Sequence, residues 1–365
     1  MIRKKTVKFL LSCAISLFFL YLAFRNINFK EIVQVFQTIN YFWTIPFVII
    51  TVLSMYLRAV RWRWILKSHY DFTSRKLFPS LIIGFALNSL LPLRAGEFAR
   101  PFILSKREKI PFSTVFGTVV VERIMDSITL LFSFFTTLFF VTIDPESHFT
   151  LRISNTMQYT ITGEMLTRLG RKLSVITFLL LLAVVSLILD RTRRVYEIMI
   201  RSLPIVGDSL KKKIIHIFQH FAHGFHSLKS PKYLAMIFFY SLIIWCLVGF
   251  SLQVMSWGFK DLSLNFFQAM AIVNIICIAI LIPAAPGYWG LYECGGIFAL
   301  IALGVVSMDT GEATALGFTL LIHTLQIIPI VLVGVYYLWR ENISLKQIEI
   351  QAVSNEPDFS SGNSS

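Results

Sequence analysis

The sequence predicts an all-α, polytopic bundle of transmembrane helices, about six full spans with two proline-broken re-entrant hairpins arranged as an inverted repeat. Three observations predict it. Hydrophobic residues make up 56% of the 365 positions and charged residues 15%, against about 25% charged in a soluble domain. The apolar residues fall in blocks, many of them long enough to cross about 30 Å of hydrocarbon as helix. The basic residues sit between those blocks and favour alternate loops, as the positive-inside rule requires. In lipid the backbone must bond to itself, so blocks of this kind are helices. A soluble enzyme is excluded. The net charge of +14 reflects loop placement and gives no reason to expect nucleic acid as a partner.

The first span is Val7–Phe24, with Arg3, Lys4, Lys5 and Lys8 holding the N-terminus in the cytoplasm. No small-x-small cleavage site follows it, which argues against a signal peptide. The next loop carries only Arg25 and Lys30, so it faces outside. Phe42–Leu57 returns to a basic run of Arg58, Arg61, Arg63, Lys67, Arg75 and Lys76. A full crossing by Leu77–Leu93 would put Arg94, Arg100, Lys106, Arg107 and Lys109 outside, against the charge rule. A hairpin that enters from the cytoplasm, breaks near Asn88–Pro92 and comes back resolves the conflict. Ile128–Ile143 then runs outward and Ser174–Leu189 returns, with Arg171 and Lys172 at its outer end as exceptions to the rule.

Between the halves, Ile214, Ile217, Phe218, Phe221, Phe225 and Leu228 share one face at helical spacing, behind Lys211, Lys212 and Lys213. That reads as an amphipathic helix over 203–228 on the cytoplasmic membrane surface. Leu234–Trp257 spans outward. Phe266–Ile282 dips in, breaks at Pro283–Gly287, and returns as Leu291–Leu303. The loop holding Asp309 and Glu312 has no Lys or Arg and faces outside, and Ala313–Leu338 ends inside at Arg340 and Lys346. The expectation is one membrane domain over 1–350, with half one at 1–143 and half two at 174–340. Both termini are cytoplasmic, and the Ser- and Asn-rich tail 351–365 is disordered.

Three clusters carry chemistry. In the first hairpin stand Asn88, Pro92, Arg94, Gly96, Glu97 and Arg100. If helix resumes after Pro92, Glu97 reaches Arg94 and Arg100, three residues away on each side. Charges at depth pair with one another or face a cavity. The cluster is therefore either an ion pair that pins the hairpin or a pocket in which arginine holds a lipid phosphate through its planar fork. Glu122, Arg123 and Asp126 form the second cluster, with Glu122 and Asp126 one turn apart on a helix face. They read as a charge network with the hairpin or as a carboxylate that takes a proton or cation. In the third, Pro283, Pro286, Gly287 and Gly290 break a helix beside the lone acid Glu293. That acid is either a protonated structural group or part of a transport path.

Weaker signals stand beside these. His216, His220, His223 and His226 line one side of the amphipathic helix and read as a solvated face rather than a metal site. His323, Gln326 and Asn274 read as hydrogen-bonding groups between helices. Cys13, Cys246, Cys277 and Cys294 show no metal or redox spacing. No phosphate loop of the Gly-x-x-x-x-Gly-Lys kind, no Asp-x-Asp pair and no hydrolase signature occurs, so neither cofactor, metal nor enzymatic chemistry is expected.

Together these motifs resemble the transmembrane region of lysylphosphatidylglycerol synthase, the flippase-like family also called UPF0104. The carrying residues are Arg58-Ala-Val-Arg61-Trp62, Asn88 through Pro92, Arg94, Gly96, Glu97 and Arg100, then Glu122-Arg123 with Asp126, and Pro283, Pro286, Gly287, Gly290 and Glu293. The resemblance implies a lipid-handling membrane domain. Relatives of this kind are taken to flip aminoacylated phospholipids, or are linked to hopanoid traffic or polyprenyl-linked sugar assembly. The transferase domain that follows in the synthases is not in this sequence, so aminoacyl transfer is not expected.

The expected function is translocation of an anionic phospholipid or a polyprenyl- or hopanoid-type lipid across the cytoplasmic (inner) membrane. Arg94, Glu97, Arg100, Asn88 and Arg61 would meet the headgroup. Glu122, Arg123, Asp126 and Glu293 would balance charge or couple protons. Expected partners are anionic membrane lipids, a second copy of the chain or a lipid-modifying enzyme. The competing readings are an accessory factor or enzyme of lipid-linked glycan assembly, and an ion-coupled transporter of a small anionic solute.

Overall fold

A computed structural model of the chain describes residues 16–24, 29–91, 94–141, 148–152, 158–162, 230–281, 286–306 and 311–341, with a few isolated positions besides. The basic N-terminal residues, Pro92, Pro283, most of Ser174–Leu189, the 203–228 segment with its histidines, Asp309 and the tail lie outside the described residues.

Helix dominates. After a helical stretch over 16–24 come α1 (Phe29–Thr38), α2 (Thr44–Leu66), α3 (Ser74–Leu90), α4 (Gly96–Glu108) and α5 (Phe112–Phe140). The second part contributes α6 (Pro231–Ser256), α7 (Phe266–Ala279), α8 (Leu291–Ala302) and α9 (Glu312–Arg340). The segments Tyr41–Leu66, Pro231–Ser256 and Glu312–Arg340 are long and apolar enough to cross a membrane, with mean hydropathies of 1.6, 2.2 and 2.1.

Three features differ from the sequence reading. His148–Arg152 (β1) and Gln158–Thr162 (β2) pair as an antiparallel two-stranded sheet, a small addition to an otherwise helical chain. The β-branched and aromatic residues of Gln158–Thr162, in a polar stretch between apolar blocks, favour that pairing. Helix also continues through Leu66, which places Arg58, Arg61 and Arg63 within α2 rather than in a loop beyond Leu57. An extra short helix, α1, fills the expected loop after residue 24; its one buried residue is Ile32.

Local chemistry sets the ends. Asn265 and Gln268 cap α7 reciprocally: the Asn265 side chain accepts from the Gln268 N–H at 2.8 Å, and Gln268 accepts from the Asn265 N–H at 3.0 Å. Pro231 opens α6, where its missing N–H costs nothing. Lys109 ends α4 in the left-handed region at φ 53°. The run from Leu91 to Ala95 separates α3 from α4, and Ile280 to Gly290 separates α7 from α8.

These breaks create two helix–break–helix pairs, α3–α4 and α7–α8, each closely packed on itself. Gly96 makes the first approach feasible. A Cβ there would collide with the Gly84 carbonyl and with Asn88. Longer helices flank the pairs, with α2 along α6 and α3 along α9. Three apolar cores result among the described residues, the smallest of them Ile83, Leu87, Ala99 and Ile103 between α3 and α4. Of the two larger, one gathers Phe47, Ile272, Ala299, Leu316 and Phe318; the other gathers Trp62, Leu77, Leu104, Val115 and Ile237.

Candidate functional site

The charged residues of α2, α4 and α5 converge in the interior. Helical spacing puts Arg58 and Arg61 on one face of α2 and Glu122 and Asp126 on one face of α5. Arg61 is fully buried and binds Asp126 with two nitrogens, Nη1 at 2.5 Å and Nη2 at 3.2 Å. The same Nη1 donates to Ser241 of α6 at 2.9 Å, and Nη2 lies 3.2 Å from Glu122.

Arg100 of α4 forks onto Glu122 at 3.0 and 2.8 Å and lies over the Trp62 ring at 3.7 Å. Arg123 reaches Glu122 at 2.9 Å, Asp126 at 3.4 Å and Glu97 at 3.9 Å. Arg58 lies 4.0 Å from Asp126 and near the faces of Phe85 and Trp245. The Trp245 indole N–H donates to Asp126 at 3.0 Å. Four guanidiniums thus share three carboxylates. Bidentate or charge-assisted bonds offset the desolvation cost of Arg61, Arg100, Arg123, Glu122 and Asp126, while among the described residues Arg58 is held only by the 4.0 Å approach to Asp126 and by its two aromatic neighbours.

This changes the partners expected from local spacing. Glu97 does not hold Arg94 and Arg100 as a local pair. Arg100 goes to Glu122 because α4 and α5 pack side by side, and Glu97 turns to Arg123 at the edge of the network. Glu122, buried to 0% exposure, offers a desolvated partner that the partly exposed Glu97 does not. Arg61 and Arg100 are both buried with their Nη atoms bonded to carboxylates, and the Nε of each has no hydrogen-bond partner among the described residues.

Arg94 lies elsewhere. It follows the first break with φ 55°, and its Nη2 donates to the Ile280 carbonyl at 3.0 Å. Its guanidinium also stands 5.4 Å from the Tyr288 ring. Ile280 and Tyr288 flank the second break. The two hairpin tips therefore touch, and Arg94 is the side chain that joins them. Asn88 lies in the last turns of α3 against Gly96.

The second break is built on Pro286, on Gly287 with φ 72°, and on Gly290 with φ 90°. Gly290 is required twice over. Its backbone is in the left-handed half of φ space, and a Cβ would meet the backbone of Ser16 and Leu20 in the first helix.

Glu293 follows on α8 and is not alone. One oxygen accepts from the Gly290 N–H at 2.6 Å, and the other lies 2.6 Å from Nδ1 of His323 on α9. Tyr292 stacks on the His323 ring at 4.0 Å, and Trp289 covers it at 4.6 Å. Tyr292 in turn donates to Gln326 at 3.3 Å. Asn274 donates to Ser133 at 3.2 Å, tying α7 to α5. Among the described residues no group of three His, Cys, Asp or Glu could hold a metal ion.

Ser241, Trp245 and Tyr288 were not singled out from sequence. Their roles, the His323 contact with Glu293 and the contacts of Arg58 and Trp62 depend on which helices become neighbours. Only the three-residue spacing of Arg58 and Arg61 carried a hint of a shared face.

Apolar helices that enclose a cluster of paired charges beside two broken helix pairs define a helical integral membrane protein. The chain belongs to the family described as the lysylphosphatidylglycerol synthase TM region, whose model matches residues 9–334. It is similar to a UPF0104 membrane protein of Pyrococcus horikoshii, 26% identical over 318 residues, covering 80% of this chain and 87% of the relative. A UPF0104 membrane protein of Methanocaldococcus jannaschii is 32% identical over 139 residues, 37% of this chain and 41% of the relative. The glycosyltransferase AglD of Haloferax volcanii is 32% identical over 83 residues, 22% of this chain and 13% of AglD. No solved structure matches the chain.

Proposed function

We propose that the chain is a lipid translocase, moving an anionic phospholipid or a polyprenyl- or hopanoid-type lipid across the cytoplasmic membrane. The observation that carries the reading is the meeting of the hairpin tips, where Arg94 bonds to the Ile280 carbonyl across two helix breaks. Broken helices that meet at the middle of a bundle are where transporters of inverted-repeat design place their substrates. In this reading α3–α4 enters from the cytoplasm and α7–α8 from outside, each as a re-entrant hairpin, and both chain termini are cytoplasmic. The order of a span, a broken pair and a long helix in α2–α5, repeated in α6–α9, supports the inverted repeat.

The headgroup would meet Arg94 with Glu97 and Asn88 beside it. Arg61 and Arg100 support this region from behind: their charges are already spent on Asp126 and Glu122. Glu293 with His323 is the proton-carrying candidate, because the pair is buried at the outer hairpin and links α8 to α9. The chain would act on lipid without covalent chemistry, alone, as a pair of copies, or beside a lipid-modifying enzyme.

Purified protein in liposomes holding a fluorescent anionic phospholipid tests the reading. Lipid should cross without ATP. Arg94→Gln should slow it while leaving the folded protein intact. A pH gradient should change the rate, and Glu293→Gln should remove that dependence. Protein that moves no lipid under any gradient sinks the translocase. A second reading, an accessory role in lipid-linked glycan assembly, is favoured by the AglD similarity. It then predicts that deletion of the gene depletes a lipid-linked saccharide while lipid asymmetry is unchanged.

A further inference from the structure

A cavity of about 590 Å³ opens at the far end of α3 from the hairpin tips, among the ends of α3, α4 and α9 and the flank of α2. A run of α3 from Lys76 to Leu90 puts about 20 Å between the two places. Arg75, Lys76, Arg107 and Arg340 line the cavity against one lining carboxylate, Glu341.

Two of the cations are occupied. Lys76 pairs with Glu108 at 2.5 Å, and Arg107 pairs with Glu341 at 3.0 Å and also donates to the Lys76 carbonyl. These bonds hold the walls. Arg75 and Arg340 have no acidic partner among the described residues, and both are exposed. They are left as two uncompensated guanidiniums on a wall that other ion pairs have fixed.

The remaining lining is apolar and aromatic. Phe78 stands edge-on to Tyr337 at 5.9 Å and tilted to Tyr56 at 6.1 Å, with Pro79 buried beneath. Past the cavity, the outer face of α9 exposes Leu332, Val335, Tyr336 and Trp339, the last at 77%. Such a face suits acyl chains, and exposed Trp and Tyr near a helix end mark the headgroup level of a bilayer. Cations above an aromatic floor at that level fit one ligand chemistry: a phosphate with hydrocarbon attached. A planar guanidinium matches phosphate through paired hydrogen bonds. Inorganic phosphate or a small polar phosphate ester would gain nothing from the aromatic floor.

We propose that this cavity binds the phosphate-bearing headgroup of an anionic lipid, held by Arg75 and Arg340, with its chains along α9. The site stands apart from the translocase reading, because a resident lipid here needs no transport.

Nanodiscs containing phosphatidylcholine and phosphatidylglycerol test it, with native mass spectrometry to count the lipids that stay with the protein. Wild type should retain phosphatidylglycerol in preference to phosphatidylcholine. The double change Arg75→Gln with Arg340→Gln should weaken that retention by roughly tenfold to thirtyfold, given the usual contribution of each basic residue at a membrane surface. Thermal unfolding of the variant should match wild type, since neither side chain has an acidic partner among the described residues. Arg340→Gln alone, at an exposed helix end, should move retention in the same direction by less. Unchanged phosphatidylglycerol retention in the folded double variant overturns the site. Equal retention of both lipids by wild type also overturns it. If glycerol phosphate displaces phosphatidylglycerol at equal concentration, the site reads a soluble phosphate and the lipid assignment falls.

Discussion

Glu122→Gln isolates the charge of the buried cluster while keeping its shape. Glu122 is fully buried, accepts from Arg100 at 3.0 and 2.8 Å and from Arg123 at 2.9 Å, and lies 3.2 Å from Arg61. The amide would keep one acceptor and turn its NH₂ group toward guanidiniums that can only donate. Arg100 has no other carboxylate within bonding distance among the described residues, so it becomes an uncompensated buried cation. Removing one partner of a buried pair costs about 3–5 kcal/mol. At 1.4 kcal/mol per decade that is about two to three and a half orders of magnitude in the folded-to-unfolded ratio. SDS titration of the protein in mixed micelles, followed by circular dichroism, reads the change. The double variant Arg100→Met with Glu122→Met removes both charges, and it should be at least about 1 kcal/mol less destabilised than the sum of its single changes. A Glu122→Gln protein within about 1 kcal/mol of wild type would refute the reasoning, since the pair would then contribute far less than breaking a buried pair costs.

Other outcomes follow from the same geometry. Gly96→Ala should destabilise by about 1–3 kcal/mol, because its Cβ meets the Gly84 carbonyl and α3 and α4 must part; the same SDS titration measures it. Glu108, at the charged end of α4, is opposed by partial burial, but Lys76 and Arg107 outweigh this and hold its carboxyl below the usual range. Its contribution to stability is therefore full above the unfolded-state value of about 4.3 and lost as pH falls through the lower folded value. Glu108→Gln should flatten the stability-versus-pH curve in that acid window, and an unchanged curve would count against the triad. A single cysteine at Lys106 in a cysteine-free background should be labelled from the cytoplasmic side; labelling from outside rules out the re-entrant path of α3–α4.

Both helix breaks were legible in the sequence because their causes are local. Gly96, Pro286, Gly287 and Gly290 act within a turn or two, and their residue types state the backbone they permit. The individual partners of the charges were not legible, although a charge network of Glu122 and Asp126 with the hairpin is one of the two readings the sequence allows. From spacing alone Arg100 sees Glu97, three residues back, while its actual partner Glu122 lies on another helix and comes within reach only through the packing of α4 on α5. Glu293 read as a lone acid for the same reason: His323 lies on α9, 30 residues along. The boundary of α2 was misplaced because Arg58, Arg61 and Arg63 resemble a loop in a hydropathy profile. A profile scores each charge as though it met lipid, and Arg58 and Arg61 have Asp126, Glu122 and Trp245 around them while Arg63 lies near Asp71. The β1–β2 pair escaped notice because a short strand in a polar loop has no periodic signal of useful length.

The order in which the cluster's charges leave the ribosome has a consequence for biogenesis. Arg58, Arg61 and Arg100 all precede Glu122 and Asp126 in the chain. A nascent chain that has reached Ile110 holds three arginines whose carboxylates have not yet been made. Each charge left near the bilayer centre costs about 2.5–3.5 kcal/mol on insertion scales. Arrival of α5 supplies the counter-charges of Glu122 and Asp126. A chain truncated before Glu122 would carry these cations unmatched.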